Sequence, residues 1–422
     1  MTKLGLVLSG GGAKGAYQIG AYRALRKIGK NPEIVTGTSV GAINGLLIVQ
    51  GDLYKAVKLW KNMTFSKIYD EDSFEKCSND NLKDIYKEYV KRFISEGGMD
   101  VVKLFEMIKK LYNSNKLFNS PIDYGLVTYN YSKNKPLLLT KQDMTVDNVK
   151  DYVIASASCY PAFKPYEIDG ELYIDGGYYD NLPINLAAEM GADEIIAIDL
   201  KAVGFKRKVV YDVPITVIAP RNKVTNFLVF DKAKSREALR FGYNDVMKTF
   251  GKLDGDKFTF KKGNVVKNYN RYGQKFEVHL NEILDSLDNS IVNKITQSSL
   301  FLIFKDRKLT YRSFNKLVEK AGECFGFSED IIYNIRTYNK GLFNELSRVS
   351  SMSIDNLLNK IRSRNFSNII DKREIVRFFY NEIRTESYDN VVKFLPMFFD
   401  DFLIALYITL LKVEKNLTNF LV

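Results

Sequence analysis

Ser39 stands in Gly37-Thr-Ser-Val-Gly41, a Gly-x-Ser-x-Gly sequence between a short apolar run and a helical one. Glycines on both sides let a chain turn sharply after a strand, so that a serine Oγ projects above the sheet as a nucleophile. The plainer reading is a turn or N-cap serine. Gly10-Gly-Gly-Ala-Lys-Gly15 follows the apolar run Leu4–Leu8 and opens another helical stretch. Three chemistries suit such a loop. A phosphate-binding P-loop fails, because Ala16-Tyr17 stands where Lys and Ser or Thr are required. A dinucleotide fingerprint is present at Gly10, Gly12 and Gly15, but Glu33 precedes the second strand, whereas a ribose-binding acid belongs at that strand's end. An oxyanion hole fits best: consecutive glycines expose backbone N–H groups at a helix N-terminus, close to where Ser39 must lie.

A serine nucleophile needs a proton acceptor. His279 is the only histidine, far downstream of the predicted sheet, so a Ser-His-Asp triad is not expected. Asp175-Gly-Gly177 follows the strand-like Glu171–Ile174 and offers a carboxylate with small neighbours. With an ordinary pKa of about 3.9 it is ionised at neutral pH but weakly basic, and burial would strengthen it. An Asp-Gly turn is the structural alternative. Three scattered cysteines and one histidine build no usual zinc cage, so neither metal nor other cofactor is expected.

Strands at Leu4–Leu8, Ile34–Thr36, Tyr124–Tyr129, Pro136–Leu139, Ile195–Leu200 and Ile215–Ala219 alternate with helical stretches such as Ala16–Ile28 and Ala42–Gln50. That pattern predicts an α/β fold with a mainly parallel central sheet. Residues 54–115 read as a charged helical insertion or lid, and Phe241–Phe250 as the closing helix of a catalytic domain over 1–250. Gly251–Gly263 is rich in Gly, Asp and Lys, which makes 251–280 a basic linker before a mostly α-helical C-terminal domain, 281–422. Val391–Val413 is the most apolar stretch. Asp400-Asp401 interrupts it, leaving fewer than the roughly 20 apolar residues a spanning helix needs. A buried terminal helix is expected there, with docking on lipid as the sharper alternative.

The net charge of +12 is not spread evenly. Residues 201–275 carry 18 Lys and Arg against 6 Asp and Glu, an excess equal to that of the whole chain. Such a stretch suits peripheral contact with an anionic membrane, or an acidic partner, or a solvated face. No nucleic-acid motif accompanies it, so no nucleic acid is expected. The absence of a leader-like start and of a disulfide pattern predicts a cytoplasmic protein, peripheral at the membrane; an injected effector without a signal would read the same way.

Three blocks of sequence, LGLVLSGGGAKGAYQIGAYRAL, GTSVGAING and ASASCYPAFKPYEIDGELYIDGGYYDNLP, resemble the signature blocks of the patatin-like phospholipases. The resemblance runs over about residues 4–200. It implies a three-layer α/β sandwich related to the α/β-hydrolases, and cleavage of lipid acyl esters by a Ser-Asp dyad without histidine. It makes Ser39 the nucleophile and Asp175 the base. Gly10, Gly11 and Gly12 become oxyanion donors, joined by the N–H of Val40, with Lys14 ordering the loop. Gly15, Gly37, Gly41, Gly176 and Gly177 are the remaining motif glycines. The substrate class is phospholipid or another acyl lipid. An acyltransferase, or a scaffold that binds lipid without cleaving it, are the rival readings.

Overall fold

The computed structural model describes residues 2–68, 102–295, 300, 309–362, 371–385 and 388–417, in two compact units, Met1–Phe250 and Gly251–Val422.

In the first unit, the apolar runs become an eight-stranded sheet in the order β5-β6-β3-β2-β1-β7-β8, with β4 paired to β3. The strands are β1 (Leu4–Leu8), β2 (Ile34–Thr38), β3 (Asp123–Asn130), β4 (Lys135–Thr140), β5 (Tyr166–Ile168), β6 (Glu171–Asp175), β7 (Glu194–Ile198) and β8 (Ile215–Ile218). β3, β2, β1, β7 and β8 run parallel, while β4 and β6 pair antiparallel to β3 and β5 antiparallel to β6. β1 and β2 are buried at every residue, as expected of central parallel strands covered on both faces. Helices Ala16–Lys27, Val40–Val49, Val149–Ala157 and Ile184–Glu189 complete the α/β sandwich.

The closing helix spans Lys232–Thr249, starting nine residues before the apolar pattern suggested. Its first turns carry Lys232, Lys234 and Arg236, which hide a start marked by Asp231 accepting from the Lys234 N–H at 2.8 Å. Across 54–115, Leu53–Lys61, Val102–Leu111 and Ser114–Phe118 are helical, and residues 69–101 of that insertion lie outside the described residues.

The second unit is mainly helical, and it corrects one expectation. Residues 251–280 are not a linker. β9 (Leu253–Asp254), β10 (Thr259–Lys261) and β11 (Ile332–Tyr333) form a small sheet, and Phe258, Phe260 and Phe276 lie fully buried in this unit's core. The Gly and Lys residues that suggested a tether are the turns between very short strands. Helix Tyr388–Leu417 is kinked near Pro396, where Phe398 leaves helical geometry. Its Asn390–Leu411 segment is long and apolar enough to cross a membrane despite Asp400-Asp401, yet most of it is buried here. Phe402, Leu403, Ala405 and Tyr407 form the heart of the unit.

Candidate active site

Strand register brings the chemistry together. Leu8 pairs with Gly37, so the glycine loop leaving β1 lies beside the turn that follows β2. Thr38 pairs with Val127, and the next residue of β3, Thr128, pairs with Asp175. The antiparallel β6 therefore delivers its last residue to the level of Ser39, at the C-terminal edge of the parallel strands, where open α/β sheets bind ligands.

Ser39 has φ 57° and ψ −127°, a left-handed backbone unusual for any residue but glycine. The turn is possible because its neighbours lack side chains. A Cβ on Gly37 would lie 2.3 Å from the Gly41 carbonyl oxygen, and one on Gly41 would lie 2.2 Å from that of Leu8. Ser39 N–H donates to Ser156 Oγ at 2.9 Å, and Ser156 Oγ donates to the Val127 carbonyl at 2.7 Å, which fixes the elbow to β3.

Asp175 is buried. Its Oδ1 accepts from the Gly177 N–H at 2.7 Å. Burial pushes its pKa up to about 6, and the neighbouring Ser39 side chain, then the Gly177 N–H, oppose the rise. The group is thus ionised at neutral pH and more basic than a solvated carboxylate.

The glycine loop divides. Gly10 is corrected as an oxyanion donor: its N–H is already given to the Asn181 carbonyl at 3.1 Å. The N–H groups of Gly11, Gly12 and Val40 have no partner among the described residues, and all three residues line the same cavity as Ser39 and Asp175. Lys14 orders the loop, as expected, rather than facing an oxyanion. Its Nζ donates to the Leu200 and Lys201 carbonyls at 3.3 and 3.4 Å, tying the loop to the chain after β7. Burial lowers its pKa, and Asp199 partly offsets that.

The cavity, about 480 Å³, is walled by Trp60, Met63, Leu104, Phe163, Phe227 and Leu228, a lining suited to hydrocarbon. Asn181 is a residue that sequence reasoning missed. Its N–H donates to the Phe205 carbonyl at 2.6 Å; the residue lines the cavity, and its buried Nδ2 has no hydrogen-bond partner. Cys159, also in the wall, has its thiol pushed up to about 12 by burial and then by the Asp175 charge, so it is no competing nucleophile. His279 is exposed in the second unit, 3.2 Å from Glu282. Among the described residues no group of His, Cys, Asp and Glu could hold a metal ion.

Residues 6–188, which include Ser39, Asp175 and the glycine loop, match the profile of the family described as Patatin-like phospholipase. Patatin-like phospholipase domain-containing protein 7 of Rattus norvegicus is 29% identical over 199 residues, which cover 47% of this chain and 13% of that protein. Lysophospholipase NTE1 of Chaetomium globosum is 28% identical over 201 residues, 47% of this chain and 12% of its own. The match thus spans about an eighth of the length of these curated relatives. Among solved structures, VipD from Legionella pneumophila superposes with a TM-score of 0.38 at 14% identity, covering 97% of this chain and 90% of that one. The type III effector protein ExoU gives 0.31 at 13% identity, covering 94% and 80%. Residues 6–188 of this chain are thus similar to the patatin-like phospholipase family, and the similarity is confined to that part of the chain.

Proposed function

We propose that this protein is a serine lipid acyl hydrolase of the phospholipase A type, with Ser39 as nucleophile and Asp175 as its single catalytic partner. The reading rests on one observation: a buried carboxylate of raised pKa and a strained elbow serine line one cavity with Gly11, Gly12 and Val40, whose N–H groups have no partner among the described residues.

In the first step Asp175 takes the proton of Ser39 Oγ while that oxygen attacks the ester carbonyl. Charge develops on the carbonyl oxygen, and the N–H groups of Gly11, Gly12 and Val40 stabilise it. The C–O bond to the alcohol then breaks, and the proton held by Asp175 passes to the departing lysolipid or alcohol. Water repeats the sequence against the acyl-serine: Asp175 takes its proton, and collapse frees the fatty acid and returns Ser39 Oγ–H. The apolar cavity accommodates the acyl chain.

Peripheral contact with an anionic membrane belongs to the same reading, carried by the loop Lys201-Ala-Val-Gly-Phe-Lys-Arg-Lys208. Val203 is 93% exposed and Phe205 69% exposed, both at the cavity wall, and cations flank them on either side. Each cation near an anionic surface contributes on the order of 1 kcal/mol.

Purified wild type should release fatty acid from mixed phospholipid vesicles and label at Ser39 with a fluorophosphonate. Ser39→Ala and Asp175→Asn should each lower hydrolysis by about 10³-fold or more. Normal turnover by Ser39→Ala would end the assignment. A new ester among the products, instead of free acid, would make the enzyme an acyltransferase.

A further inference from the structure

The second unit contains a cavity of about 710 Å³ that the ester chemistry does not use. Its walls carry Lys267, Arg271, Arg336 and Lys340, and no Asp or Glu lines it. Some exposed cations of this unit sit on carboxylates, as in Lys257–Glu323, Lys262–Asp254 and Arg348–Glu345. Lys267, Arg336 and Lys340 have no such ion pair among the described residues. Like charges gathered around one concavity repel each other, and a bound anion relieves that repulsion.

The floor is built to hold its shape. Asn268 Nδ2 donates to Tyr407 Oη at 3.0 Å, Tyr407 Oη donates to Asn339 Oδ1 at 2.8 Å, and Asn339 Nδ2 donates to Asn268 Oδ1 at 2.9 Å. This closed ring of three buried groups joins three helical segments that are far apart in sequence. It leaves each asparagine amide with a second N–H. Asn264 Oδ1 accepts from the Ile335 N–H at 2.9 Å, anchoring the start of the 14-residue helix Ile335–Arg348 at the cavity. That N-terminus adds a favourable dipole for negative charge. The other wall is the π turn Tyr269–Gly273, which carries Arg271; such turns are frequent at functional sites.

We propose that this cavity binds a compound bearing phosphate monoester groups, either as a lipid headgroup or as a free metabolite. A phosphate offers close to two charges and three acceptor oxygens, enough to engage several cations and amide donors at once. The volume lies in the range of small-ligand sites.

The test uses the full chain as Ser39→Ala, so that no lipid is consumed. Calorimetry with inositol trisphosphate reads the free-metabolite arm. Sedimentation with phosphatidylcholine vesicles, with and without a phosphatidylinositol phosphate, reads the lipid arm. Binding in either arm supports the site, and the arm that responds identifies the source. Lys267→Glu with Arg336→Glu should weaken it by about tenfold per cation, or about a hundredfold together. Arg312→Glu with Lys316→Glu, on exposed residues outside the cavity, should leave it unchanged. No binding in either arm overturns the proposal, as does equal loss in both double variants. Binding of an acidic, unphosphorylated peptide alone also overturns it.

Discussion

Burial of Asp175 has opposite effects on catalysis and on stability. A base must be ionised to act, so kcat/KM should fall about tenfold per pH unit below about 6 and level off above it. The folded pKa of about 6 exceeds the ordinary carboxylate value, so between the two the native state holds a proton that the unfolded chain has released. The contribution to stability is therefore full below about pH 4 and is lost as pH rises through about 6. The loss is on the order of 3 kcal/mol. Asp175→Asn removes this charge while keeping an acceptor for the Gly177 N–H. It should be inactive yet melt higher than wild type near pH 8, with the gap closing toward about pH 4. A lower melting temperature near pH 8 would show that the carboxylate stabilises the fold after all.

The elements that carry the site were largely written in the sequence. β1, β2, β3, β4, β6, β7 and β8 coincide with apolar or strand-like runs. What escaped were strands of two or three residues, too short for any period to register. β5 contains only Tyr166–Ile168, and β9 and β10 lie among Gly and Lys. Phe258-Thr-Phe260 is the one hint of alternation there. The sequence also could not assign donors. Gly10, Gly11 and Gly12 look alike as letters, and only the fold gives the first of them to Asn181. Nor does Asn181 or Ser156 stand out by type or spacing. The elbow itself makes a sharp prediction: Gly41→Ala pushes a methyl into the Leu8 carbonyl, so it should cost more than about 2 kcal/mol in chemical denaturation. An unchanged midpoint would mean that the helix Val40–Val49 can shift away freely.

For the molecule as a whole, the proposed activity raises the question of how the cavity reaches a lipid held in a bilayer. The loop 201–208 places apolar tips between cations at the cavity wall. Val203→Asp should therefore reduce hydrolysis of anionic vesicles by about tenfold more than hydrolysis of a soluble short-chain ester. Equal loss on both substrates would locate the defect inside the cavity instead. The same cavity also governs how the reaction ends. In the proposed reaction, deacylation leaves a second carboxylate next to Asp175 in a largely apolar space, where two anions cannot comfortably coexist. Above about pH 7 the liberated acid is thus ejected by its own charge. Below about pH 6, where either group can take up a proton, it lingers. Inhibition by added free fatty acid should accordingly tighten as the medium is acidified.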